Sequence, residues 1–152
     1  MSLKVRDIMV QEVVTVHVNS KVTKAVDLMN KFEIGCLIVV FRKSAVGIVT
    51  ERDILKRVLG QRRDAGKTRV GEIMSKPLIF GDPNMDVEDA ASLMFKKKIK
   101  KLPIRENGKL VGLVTLTDLV RYKPQIIGMV KKLAALGFTP RRMRKVVDYY
   151  VV

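Results

Sequence analysis

The sequence predicts an α+β fold made of two copies of a β-α-β-β-α unit, followed by a helical hairpin. Three observations carry this. The chain matches itself without a gap when shifted by 65 residues, helical and strand periods alternate in the same order in both copies, and residues 123–152 match neither copy. Under the shift Val5 falls on Val70, Ile8 on Ile73, Met9 on Met74, Val22 on Val87, Ala25 on Ala90 and Leu28-Met29 on Leu93-Met94. Ile34 falls on Ile99, Leu37 on Leu102, Val46-Gly47 on Val111-Gly112, Val49-Thr50 on Val114-Thr115 and Asp53 on Asp118. Such self-similarity is weighed before any local pattern, because it sets the architecture. The copies span about 5–59 and 70–122, which divides the chain into domains 1–60 and 70–122, a linker at 61–69 and a tail at 123–152.

Each copy opens with a short amphipathic turn, Val5 to Met9 and Val70 to Met74. A brief apolar strand follows, Val13 to Val18 in the first copy and Leu78 to Phe80 in the second. Ser20 is placed to cap the next helix, where Val22, Ala25, Val26 and Met29 repeat at i, i+3, i+4, i+7. Val87, Ala90, Ala91 and Met94 do the same in copy two. Two strands come next, Leu37 to Phe41 with Val46 to Thr50, and Leu102 to Arg105 with Leu110 to Thr115. Asn107-Gly108 is a hairpin signal, since both residues tolerate the left-handed backbone of a two-residue turn. A last helix carries Ile54, Leu55 and Val58, matched by Leu119 and Val120. A small sheet with helices on one face leaves an apolar surface, and two copies can bury theirs against each other. In the tail, Gln125 to Leu136 has helical period and Gly137 is a stop signal. Thr139-Pro140 then starts a second helix, with Met143, Val146, Val147 and Tyr150 on one side and Arg141, Arg142, Arg144 and Lys145 on the other.

The 152 residues are 47% apolar, which excludes wholesale disorder. One cysteine, Cys36, excludes an intramolecular disulfide framework and a multi-cysteine metal site. The longest unbroken apolar run, Cys36 to Phe41, is far too short for a membrane helix. The first residues contain no apolar signal region, so a soluble cytoplasmic protein without membrane attachment is expected. The net charge of +15 is uneven: +4 over 1–60, +3 over 61–69, +2 over 70–122 and +6 over 123–152. A basic field attracts polyanions, but it also simply favours solubility.

The chemistry concentrates in Gly47-Ile-Val-Thr50-Glu-Arg52-Asp53 and its echo Gly112-Leu-Val-Thr115-Leu-Thr117-Asp118. In both, a strand runs into a helix whose first turn the threonine can cap. Helix N-termini favour anions, and an aspartate one turn later suits the two hydroxyls of a ribose. Arg52 adds a phosphate donor. Plain helix capping is the simpler account of either element alone; the duplication at identical spacing favours a ribose-phosphate site.

Residues 5–122 resemble a tandem of CBS (cystathionine-β-synthase) domains. The resemblance rests on Val5-Arg-Asp-Ile-Met9 with Val70-Gly-Glu-Ile-Met74, Ala25-x-x-Leu-Met29 with Ala90-x-x-Leu-Met94, Leu102-Pro103-Ile104, and the two Gly-x-x-Thr-x-x-Asp elements. It implies a pseudo-two-fold pair, sheets packed together, two clefts between the copies, and an adenosine ligand: AMP, ADP, ATP or S-adenosylmethionine. By this resemblance Thr50, Arg52 and Asp53 work with Met85, Ala90 and Ile99, and Lys100 and Lys101 reach phosphate there. The second site takes Thr115, Thr117 and Asp118 with Ser20, Ala25 and Ile34. Arg52 stands where the second site has Thr117, so the first site is expected to prefer the more phosphorylated ligand. Copy one has Leu37-Ile38 in place of the usual Leu-Pro. A homodimer, two pairs forming a disc, is also implied.

Lys96-Lys97-Lys98 with Lys100-Lys101 resembles a nucleic-acid patch, although at a helix end a solvated face that complements the helix dipole is the simpler account. His17 lacks a second histidine at ligand spacing, and Cys36 reads as a small core residue. No phosphate-binding P-loop or zinc-protease motif is present, so neither an enzyme nor a required cofactor or metal is expected. The reading is a regulatory energy-sensing module that signals by conformational change. Its rivals are a nucleic-acid binder using the basic tail, and an interaction protein whose tail is a helix–helix dimer element along Met143, Val146, Val147 and Tyr150; a nucleic-acid or protein partner through 123–152 stays open.

Overall fold

A computed structural model of the chain describes residues 2–135. Copy one contains helix α1 (Val5–Ile8), strand β1 (Thr15–His17), helix α2 (Val22–Phe32), strands β2 (Cys36–Phe41) and β3 (Ser44–Thr50), and helix α3 (Glu51–Ile54). A π-helical turn, Leu55–Leu59, continues α3. Copy two contains α4 (Val70–Ile73), α5 (Val87–Lys97), β4 (Lys101–Glu106), β5 (Lys109–Thr115) and α6 (Leu116–Tyr122), and α7 (Ile126–Ala135) follows. In copy one β1 runs parallel to β2, and β2 runs antiparallel to β3. The mixed α+β architecture is therefore as the repeat predicts.

Both hairpins close through two residues in the left-handed region. Asn107 and Gly108 (φ 52° and 77°) do so in copy two, and Arg42 and Lys43 (φ 49° and 64°) do so in copy one. The ladder shifts register at Val39/Val40 and again at Ile104/Arg105, equivalent positions in the repeat.

Two local expectations are corrected. Leu78 to Phe80 form no strand: copy two's first strand shrinks to a single parallel bridge between Gly81 and Ile104. The segment is flanked by Pro77 and Pro83, which have no N–H to give a ladder. Ser20 does not cap α2. Lys21 occupies the cap position without a side-chain bond, and the free N–H groups of Val22 and Thr23 donate to the carbonyls of Thr68 and Ala65 in the linker.

The main finding is an exchange of first helices. Val5 N–H donates to Met85 O, Arg6 N–H to Pro83 O, and Val10 and Leu113 exchange both backbone bonds. Val5 and Ile8 are buried among Val87, Ala90, Met94, Leu102 and Leu119, all of copy two. Conversely, Val70 N–H donates to Ser20 O, and Ser75 and Ile48 exchange both bonds. Val70 and Ile73 fill the copy-one core with Val22, Met29, Leu37 and Val49. Each copy thus completes the other's core. The glycines of the two strand-to-helix elements make room for this: a β-carbon at Gly47 would stand 2.5 Å from Met74 Sδ, and one at Gly112 would stand 2.6 Å from Met9 Sδ.

The sheet faces opposite the helices are covered as well. Leu37 and Val39 point into the copy-one core, so Ile38 between them points to the other face. It is nevertheless fully buried, as is its equivalent Pro103. Helix α7 lies against α5 and α6, with Ile126 buried in the copy-two core and Met129 beside it. Lys123 pairs with Glu88 where the tail begins. The second helix expected in the tail, with Met143, Val146, Val147 and Tyr150, lies outside the described residues.

Candidate functional site

Each strand-to-helix element folds into a capping box. β3 ends at Thr50, whose Oγ1 accepts the Asp53 N–H at 3.2 Å while Asp53 Oδ2 accepts the Thr50 N–H at 2.9 Å. In copy two, Thr115 Oγ1 accepts the Asp118 N–H at 3.1 Å, and Asp118 Oδ2 accepts the Thr115 N–H at 3.4 Å. Reciprocal satisfaction of two orphan donors explains why Thr and Asp stand three apart. The capping reading is therefore true of both elements, and ligand contacts would have to be added to it.

Beyond the cap the two carboxylates differ. Asp53 Oδ2 also accepts the Thr50 hydroxyl at 3.1 Å. Its Oδ1 accepts Ser75 Oγ at 3.0 Å and lies 3.6 Å from Arg57 Nη1. The same Arg57 nitrogen donates to the carbonyls of Ile73 and Met74 at the end of α4, at 2.9 and 3.0 Å. The Asp53 side chain is 10% exposed. Asp118 is 21% exposed, with only exposed Arg121 at 3.9 Å beyond its cap bond among the described residues. Sequence reasoning missed Ser75 and Arg57. Arg57 carried a signal, an acid followed four residues later by a base on one helix. Ser75 carried none, being 22 residues away on the exchanged segment.

The other predicted residues distribute by copy. Ile34 joins Arg52 in the wall of an open cleft of about 960 Å³, together with Val26, Met29, Ile54, Leu55 and Leu59. Arg52 and Thr117 are exposed. Met85 and Ile99 pack beside the copy-two core, which contains Ala90; Ala25 is buried in the copy-one core. Ser20 is half-buried and uses its carbonyl to hold Val70. The structure thus sets Arg52 beside Ile34 of its own copy, whereas Ile99 sits in copy two, where Leu116 N–H donates to Lys100 O.

The charge of Lys101 in copy two is felt at Cys36 in copy one. Cys36, paired with Thr50 in the β2–β3 ladder, is the repeat equivalent of Lys101, which pairs with Thr115. Burial pushes the Cys36 thiol pKa up, the Lys101 charge pulls it down, and the Glu51 charge pushes it up again. Each of the two thus opens the strand that pairs with the threonine cap of its own copy. A raised thiol pKa leaves Cys36 protonated through neutral pH, and only the thiolate is nucleophilic. Native protein at about pH 8.5, where an exposed thiol is partly ionised, is expected to be alkylated by iodoacetamide far more slowly than unfolded protein; mass spectrometry reads the difference, and equal rates would contradict this burial.

Among the described residues no cluster of three or more His, Cys, Asp or Glu side chains could hold a metal ion. No described helix is long and apolar enough to cross a membrane. His17 is an exposed histidine whose Nδ1 accepts the Asn19 N–H at 3.1 Å.

Comparison with known proteins agrees with this architecture. The CBS domain family matches residues 5–60 and 70–124. The CBS domain-containing protein YhcV of Bacillus subtilis is 43% identical over 115 residues, covering 76% of this chain and 81% of the relative. A conserved CBS domain protein of unknown function from Thermoplasma acidophilum superposes with TM-score 0.76 at 30% identity, covering 87% of this chain and 78% of that one. A CBS domain pair solved in complex with 5′-methylthioadenosine and S-adenosyl-L-methionine gives TM-score 0.73 at 30% identity, over 80% of this chain and 96% of that one. With its gapless duplication, paired capping boxes and exchanged first helices, this chain belongs to the CBS domain family and carries two CBS domains in tandem.

Proposed function

We propose that the chain is a regulatory module that binds an adenosine compound (AMP, ADP, ATP or S-adenosylmethionine) at its strand-to-helix clamps. The observation that carries this is the Thr–Asp clamp built at the end of the last strand of a CBS repeat, in a chain whose structural relative was solved with two adenosine compounds. A carboxylate there can accept the two ribose hydroxyls, and Arg52, Lys101 and exposed Arg121 supply cations for phosphate or carboxylate. Signalling follows from the exchange of helices. A ligand that shifts α3 or α6 also shifts the first helix lodged on that copy, and its effect equals its differential affinity for the two arrangements. The cleft beside exposed Leu55 and Leu59 is a face for a homodimer.

Titration calorimetry of ligand-free protein with AMP, ATP and S-adenosylmethionine tests the reading. Saturable heat with at least one is the expected result; none with any of them sinks it. The nucleic-acid reading rests on the charge of 123–152, half of which lies outside the described residues. It requires duplex binding that weakens steeply with salt.

A further inference from the structure

We infer that the two clamps have diverged: Asp53 is a structural latch, and Asp118 alone holds the ligand's sugar, so each chain takes up one adenosine compound. This rests on the proposed function and assigns its site. The repeat makes the two carboxylates equivalent, yet their hydrogen bonds differ.

Asp53 accepts from the Thr50 amide, the Thr50 hydroxyl and the Ser75 hydroxyl, and faces the Arg57 guanidinium. Ser75 belongs to the exchanged segment and exchanges both backbone bonds with Ile48. Arg57 ties the same carboxylate to the last carbonyls of α4. Asp53 therefore fastens α3 to α4. A sugar reaching it would have to displace the Ser75 bond and loosen the guanidinium contact, exchanging charge-assisted bonds for equivalent ones with little net gain.

Copy two lacks both fasteners. The residue equivalent to Ser75 is Val10, which has no hydroxyl, and the residue equivalent to Arg57 is Tyr122, which has no charge. The Asp118 carboxylate keeps one long cap bond at 3.4 Å and is more exposed. Its acceptor capacity remains for a pair of vicinal hydroxyls, with Thr117 and Arg121 beside it on α6. The difference lies in two side chains contributed by other turns of the fold, while both clamps look alike along the chain.

The test is titration calorimetry with AMP, ATP and S-adenosylmethionine on three proteins, each first checked by thermal melting. The wild type is expected to bind one equivalent. Asp118→Asn is expected to melt as the wild type does and to lose at least about tenfold in affinity, the loss of bonds to a charged acceptor. Ser75→Val combined with Arg57→Tyr, which gives copy one the copy-two residues, is expected to bind a second equivalent. Two equivalents on the wild type, undiminished uptake by Asp118→Asn, or a folded double variant still binding one equivalent would each overturn the assignment. Absence of binding by the wild type sinks the functional reading itself and is told apart by that control.

Discussion

Replacing Asp53 with Ala lowers the melting temperature by about 4–16 °C. The substitution removes a carboxylate that accepts from Thr50 N, Thr50 Oγ1 and Ser75 Oγ. Each orphaned donor in a part-buried site costs about 1–3 kcal/mol, less where water can enter. Arg57 is 39% exposed, so solvent screens its loss and it contributes least. A total of about 2–4 kcal/mol is expected, and a chain of this size shifts by about 2–4 °C per kcal/mol. The equivalent change at Asp118 is expected to shift melting by less, since its carboxylate accepts one long bond. Differential scanning calorimetry of both variants decides the matter. Equal shifts would mean that the Ser75 and Arg57 contacts contribute nothing to stability.

Replacing Ile8 with Ala costs about 2–4 kcal/mol, the usual range for truncating a buried isoleucine. More telling is where the damage falls. Ile8 is buried against the copy-two core although it belongs to copy one along the chain. Amide hydrogen exchange is therefore expected to accelerate first in α5, β4 and β5, leaving β1 to β3 protected. Ile73→Ala is expected to do the reverse, because Ile73 fills the copy-one core. Acceleration within β1 to β3 after the Ile8 change would show that the first helix docks on its own copy.

The elements of each copy were legible because their causes are local. The capping boxes span three residues, so Thr50–Asp53 and Thr115–Asp118 were visible as a spacing. The periods of α2 and α5 and the Asn107-Gly108 turn were equally plain. Elsewhere a distant partner overruled the local signal. Ser20 lost its capping role because the linker carbonyls of Thr68 and Ala65 reach the same amides. Leu78 to Phe80 kept their apolar character but lost the ladder between Pro77 and Pro83.

By itself the sequence determined that there are two like units, what each is made of, and where each carries a hydroxyl and an acid one turn apart. It did not determine which unit each first helix docks on. Both units present the same apolar pattern at that face, so hydrophobic burial alone gives the two dockings nearly the same driving force. Only the assembled structure resolves that choice, through particular contacts such as Met74 against Gly47 and Ser75 against Asp53. The same contacts make two acids with one sequence motif chemically unequal, because a carboxylate's availability is set by the donors that tertiary structure brings to it.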